Sequence, residues 1–110
     1  MTALYIGGAG QGKYALARRI HGAEAPIVDA LHERVRDILA QGGDPMELLP
    51  TLQDQIVLCD EVGCGVVPLE RGERDWREAV GRLCCALAAR ADLVVRVTAG
   101  LPQVLKGELP

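Results

Sequence analysis

The chain is short of aromatic residues: it has one Trp, two Tyr and no Phe among 110 residues. Its core must therefore be assembled from Leu, Val, Ile and Ala. It has no basic excess. Twelve Lys and Arg against 15 Asp and Glu leave a net charge of −3, which argues against a general nucleic-acid binder. No apolar run approaches the roughly 20 residues needed to cross a membrane. Cys59, Cys64, Cys84 and Cys85 form no C-x-x-C pair, so neither a zinc ribbon nor a thioredoxin-like motif is present. Met1 to Ile6 is too short for a secretory leader, and a glycine loop follows at once. The expectation is a reduced cytoplasmic protein. No internal repeat or low-complexity segment is visible.

What is present suffices for one globular unit. Apolar residues make up 49%, which excludes a disordered chain, and the length predicts a single domain over residues 1–110. Ala3 to Ile6 reads as a buried strand, and Lys13 to Ile20 as a helix closed by Gly22. Pro26 to Asp29 predicts a second strand. Ala30 to Gln41 predicts an amphipathic helix, with Leu31, Val35, Ile38 and Leu39 on its apolar side. A short helical piece is expected over Met46 to Leu52, and a third strand over Gln55 to Cys59. The longest helix is expected over Glu73 to Ala91, with Trp76, Val80, Leu83 and Leu87 as its stripe. Leu93 to Val97 is the fourth strand. Strands that are continuous apolar runs and alternate with helices predict an α/β fold. Its small, mainly parallel sheet is flanked by helices in three layers, as in P-loop NTPases. Ligands bind such sheets at the carboxyl ends of the strands. Gly7 to Lys13, Asp29, Asp60, Glu61, Thr98 and Gly100 all fall there.

Gly7, Gly8, Ala9, Gly10, Gln11, Gly12 and Lys13 match the first seven positions of a P-loop. Glycines allow backbone N–H groups to turn around an anion, and the following helix aims its N-terminus at the same place. Lys13 adds charge for the outer phosphates. The strand–loop–helix context favours a phosphate site over a bare glycine turn. Tyr14 departs from the pattern, because Ser or Thr would supply the hydroxyl that holds Mg²⁺. That sets metal-assisted phosphoryl transfer in question.

Asp29 and the Asp60–Glu61 pair follow apolar strands, where carboxylates hold Mg²⁺ or activate a nucleophile. Asp29 has a competing reading as a cap of the helix after it. His21 lies at a helix end and is expected to interact with the helix dipole. His32 is expected at the surface. Cys84 and Cys85 are expected to pack in the core. Cys64, between two glycines, has no basic neighbour to activate it. Arg71, Arg74 and Arg77 are within reach of phosphate near a helix start, but a solvated charged face is the simpler expectation.

Residues Asp60 to Pro68 (Asp-Glu-Val-Gly-Cys-Gly-Val-Val-Pro) resemble the Asn-Glu-Val-Gly-x-Gly-Ile-Val-Pro segment of the bifunctional adenosylcobinamide kinase / adenosylcobinamide-phosphate guanylyltransferase family. The likeness runs on through Arg74-Asp75-Trp76-Arg77-Glu78 and Gly81-Arg82 to Ala91-Asp92. It continues to Ala99-Gly100-Leu101-Pro102 and Lys106. Upstream, Ile27 to Leu31, Gly42 to Pro45, and Gly7 to Lys13 are similar to the family's aspartate strand, Gly-Gly loop and phosphate loop.

The resemblance implies a nucleotide-binding enzyme of cobalamin biosynthesis. It uses ATP or GTP, with Mg²⁺, to phosphorylate adenosylcobinamide, and then transfers GMP through a guanylyl-histidine. It also implies a homo-oligomer. By that resemblance Gly7 to Tyr14 form the phosphate loop, and Asp29, Asp60 and Glu61 manage the metal or the substrate hydroxyl. The family's histidine-bearing segment is reduced here to His21-Gly22-Ala23-Glu24-Ala25. Asp60 stands for an Asn, and Cys84-Cys85 for an Asn-Gln pair. Guanylyl transfer is therefore expected to be lost. A non-catalytic nucleotide or corrinoid sensor, or a partner subunit on the same scaffold, is the alternative.

Overall fold

A computed structural model describes residues 1–62 and 70–110. The expectations for Gly63, Cys64, Gly65 and the rest of that glycine loop lie outside the described residues. Among the described residues five strands form one sheet in the order β2-β3-β1-β4-β5. They are β1 (Ala3–Gly7), β2 (Ile27–Val28), β3 (Ile56–Asp60), β4 (Leu93–Thr98) and β5 (Leu101–Lys106). The first four are parallel, and β5 runs antiparallel to β4. Helices α1 (Lys13–His21), α2 (Leu31–Ala40) and α3 (Arg71–Arg90), with a 3-10 helix over Pro45–Leu52, cover the sheet. This is the expected α/β arrangement with a mainly parallel sheet.

Alternation along the strands divides the core. Leu4, Val57, Cys59 and Val94 face α2, α3 and the 3-10 helix, meeting Leu31, Val35, Leu49 and Leu83. Ala3, Tyr5, Ile56, Leu58 and Val95 face the other way, onto Leu16 and Ala17 of α1. A strand buried on both faces needs apolar side chains at every position, which is why these strands read as unbroken apolar runs.

The register sets the strand ends level. Gly7 pairs with Asp60, Ile6 with Arg96, and Val28 with Val57. The segments after β1, β2 and β3 therefore emerge on one rim.

Three details differ from expectation. Helix α2 begins at Leu31, because Ala30 takes a left-handed conformation, φ 53°, and turns the chain at the strand end. Thr98 ends β4, while Ala99 and Gly100, both with positive φ, form the two-residue turn of a β4–β5 hairpin. Cys84 is buried but Cys85 is exposed, since neighbours on a helix point about 100° apart.

Candidate functional site

The chain leaves β1 against its neighbour. A Cβ on Gly7 would lie 2.4 Å from the carbonyl oxygen of Val97, so only glycine fits there. Gly12 starts α1 at φ 84° and lies against Gly100. The loop is tied to the hairpin through Gln11. Its side-chain oxygen accepts from Ala99 N–H at 2.6 Å, and its carbonyl accepts from Gly100 N–H at 2.8 Å. Gln11 therefore braces the loop from outside.

Lys13 folds back over the loop. Its ammonium donates to the carbonyls of Gly7 (3.2 Å) and Gly8 (2.9 Å) and pairs with Asp60 Oδ1 at 2.7 Å. Three N–H groups thus meet three oxygens. Asp60 is held from its other side by His32. The backbone N–H of Asp60 donates to His32 Nδ1 at 3.1 Å, and His32 Nε2 lies 3.4 Å from Asp60 Oδ2. Because Nδ1 accepts, the ring proton sits on Nε2, facing the carboxylate.

His32 is thus no surface residue. Its side chain is 12% exposed, and sequence reasoning missed its place in the site. Helical spacing from Leu31 could have suggested it, since His32 lies in the first turn of the helix that leaves the Asp29 strand. Trp76 locks that turn by donating from Nε1 to the His32 carbonyl at 2.8 Å, and the Arg36 guanidinium lies 3.8 Å from the Trp76 ring centroid.

A cavity of about 240 Å³ opens between Gly10–Ala15, Asp29 and Asp60. The glycine loop, the start of α1 and two of the three singled-out carboxylates meet there. Asp29 is exposed, and its Oδ1 accepts from Ala30 N–H at 2.8 Å. It makes no cap to the first turn of α2, so the simple capping reading does not hold. Glu61 turns away from Asp60: its N–H donates to the Gly7 carbonyl at 2.9 Å, and its carboxylate pairs with Arg96 at 3.1 Å. Among the described residues a larger cavity, about 420 Å³, lies between Leu39, Pro45 and Arg82. It contains none of the strand-end groups, and the smaller one is where the chemistry converges.

Tyr14 is 47% exposed. Its hydroxyl accepts from Arg18 Nε at 3.1 Å, and the Arg18 guanidinium lies 5.3 Å from the ring centroid. The phenol is thereby drawn along the helix surface. Arg18 also donates to the carbonyls of Gly22, Ala23 and Ala25, pinning the connection from α1 to β2.

In that connection His21 is bound to Tyr5, with the hydroxyl and Nε2 2.7 Å apart. Burial lowers the His21 pKa, and the Tyr5 pKa is pushed up to about 12 by its own burial. The expected interaction of a charged His21 with the helix dipole gives way to a hydrogen bond made by a neutral ring. Arg71 pairs loosely with Asp75 at the surface, as expected, while Arg77 is among the residues lining a cavity beside Asp60 and Glu61. Beneath the site the Cys59 and Cys84 sulfurs are 3.6 Å apart. The contact with Cys84 and burial push the Cys59 thiol up, so it remains protonated.

A glycine loop between β1 and α1, a lysine at its end and a carboxylate on the neighbouring parallel strand define the P-loop NTPase-like class of α/β protein. The model of the family "Cobinamide kinase / cobinamide phosphate guanyltransferase" matches residues 23–105, and the chain belongs to that family. The match begins after α1, so the glycine loop precedes it. The chain is also 42% identical over 64 residues to the bifunctional adenosylcobalamin biosynthesis protein CobP of Pseudomonas aeruginosa. That stretch is 57% of this chain and 37% of the relative.

Proposed function

We propose that the chain binds ATP or GTP at Gly7–Lys13 and acts as an adenosylcobinamide kinase in cobalamin biosynthesis. The observation that carries this is the convergence of Lys13, the loop and Asp60 on one cavity, in a member of this family. Loop amides from Gly8 to Gly12 and the N-terminus of α1 receive the outer phosphates. A phosphate oxygen competes with Asp60 for the Lys13 ammonium. Nucleotide arrival therefore releases the Asp60 carboxylate, which His32 keeps in place. In the transfer, the acceptor hydroxyl oxygen bonds to the terminal phosphorus, the bond from phosphorus to the bridging oxygen breaks, and the hydroxyl proton passes to Asp60.

For Mg²⁺ the side-chain donors are Asp60 and Asp29, and Tyr14 does not add to them. Among the described residues no group of three or more His, Cys, Asp or Glu side chains is placed to hold a metal. The remaining ligands must come from the nucleotide and water. Mg²⁺ there would neutralise charge on the outer phosphates.

Guanylyl transfer through histidine is absent in this reading, because His21 is engaged by Tyr5 and His32 by Asp60. Incubation with adenosylcobinamide, Mg²⁺ and ATP or GTP should give the phosphorylated product and no covalent guanylyl adduct. Lys13→Ala should abolish both the product and the thermal shift caused by nucleotide. Absence of product from the parent protein rejects the kinase reading.

A nucleotide or corrinoid sensor, or a partner subunit, is the second reading, favoured by the outward turn of Tyr14. It predicts a nucleotide-induced thermal shift without product. Self-association belongs to both readings: β5 is exposed along its length and leaves Leu101, Val104 and Leu105 uncovered.

A further inference from the structure

One strand and its turn touch the glycine loop at both ends. Gly7 rests on β4, at the Val97 carbonyl. A Cβ added to Gly12 would lie 3.5 Å from Gly100 Cα, in the turn that follows β4. Between them the loop holds two further glycines, Gly8 and Gly10, and its tip at Ala9 and Gly10 is exposed. Glycine has the most backbone freedom to lose, so a loop of this composition does not keep one shape unaided.

Gln11 joins the loop to the turn twice. Its half-buried side chain accepts from Ala99 N–H at 2.6 Å, and its carbonyl accepts from Gly100 N–H at 2.8 Å. An N–H must face an acceptor, which sets the side-chain amide with its oxygen on the turn. The stem of Gln11 also runs beside Gly8, where an added Cβ would lie 3.7 Å from its Cγ. On the other side of the contact Ala99, at φ 51°, and Gly100, at φ 75°, are both left-handed. Alanine adopts that conformation only where its surroundings hold it. Loop and turn therefore hold each other.

We propose that Gln11 is a positioning residue for phosphate binding, which makes the Ala99–Gly100 turn part of the nucleotide site. This rests on the nucleotide reading above. Gln11 acts through the loop and touches no phosphate. By keeping the loop in one shape before a ligand arrives, it removes an ordering cost that binding would otherwise carry. The gain is in affinity, and it is the same for any ligand that carries the phosphate chain. By reciprocity, a bound phosphate chain tightens the turn.

The test compares the parent chain with Gln11→Met, which keeps the side-chain length and removes the acceptor. ATP, GTP and inorganic triphosphate are titrated into each by calorimetry, and amide exchange is followed by NMR. Gln11→Met should weaken all three ligands by about three- to tenfold, the worth of one hydrogen bond. In the parent, each ligand should slow exchange at Ala99 and Gly100, and in Gln11→Met the slowing at Ala99 should be lost. Gln11→Glu, which restores an acceptor, should recover slow exchange at Ala99, an outcome that general loosening of the fold would not give. If Gln11→Met fails to fold, Gln11→Ala serves in its place.

Equal affinity of the parent and Gln11→Met overturns the inference. So does weakening of one ligand alone, or exchange at Ala99 and Gly100 that ignores ligand. The two failures differ: if none of the three ligands binds the parent, the nucleotide reading falls and takes the inference with it. If all bind parent and variant alike, only the role of Gln11 falls.

Discussion

Strand β3 is buried at four of its five positions, whereas β5 is exposed at all six, although both belong to one sheet. Ile56 and Leu58 pack towards α1, and Val57 and Cys59 towards α2 and α3. Among the described residues no helix lies over β5. Besides the ladder to β4, β5 is tied by Lys106, whose ammonium donates to the carbonyls of Ala88 and Ala89 near the end of α3. The difference teaches where precision is kept. The strand covered on both faces delivers Asp60 to the site, while the uncovered one is left for a surface role.

Truncation within the covered region should break this contrast most severely. Leu58→Ala is expected to cost about 2–5 kcal/mol, measured by urea denaturation, because the site is fully buried and cannot collapse freely. Gly7→Ala comes next, at about 1–3 kcal/mol, because its methyl group would press on the backbone of Val97. It should also weaken nucleotide binding by displacing the loop.

A pH series sharpens the comparison on the α1 side. Burial holds the folded His21 pKa below its ordinary 6.5, so the unfolded chain takes up the proton first as the medium is acidified. The contribution is therefore complete above about 6.5 and is lost as pH falls towards the folded value. His21→Gln should flatten that acid-side slope in thermal melts. Tyr5 acts with the opposite sense: its stabilisation is lost as pH rises from 10 towards about 12.

The smallest effect belongs to the edge. Val104→Ser should change monomer stability by no more than about 0.5 kcal/mol. If β5 mediates self-association, the same substitution should lower the oligomer fraction in light scattering. An unchanged oligomer would place the interface elsewhere.

Much of this was legible beforehand. Apolar runs ending at Gly7 and Asp60 marked the inner strands β1 and β3, because a covered parallel strand must be apolar throughout and must end where polar groups begin, and a shorter run before Asp29 marked the edge strand β2. The β4–β5 hairpin was not recognised, since Pro102 and an apolar pattern without a buried face obscure an edge strand. Its signal was the Ala99-Gly100 pair between two apolar stretches. His32 was misread for a different reason: its environment is built by Asp60, 28 residues away.

By itself the sequence determined the alternation of strands and helices, the glycine loop between β1 and α1 and the family likeness. These depend on local periodicity, on glycine at tight turns and on motif spacing. The tertiary structure alone decided which carboxylate meets Lys13, that His32 supports it and that Tyr14 turns outward. Those outcomes follow from strand register and helix rotation, which place side chains from distant segments within hydrogen-bonding reach of one another.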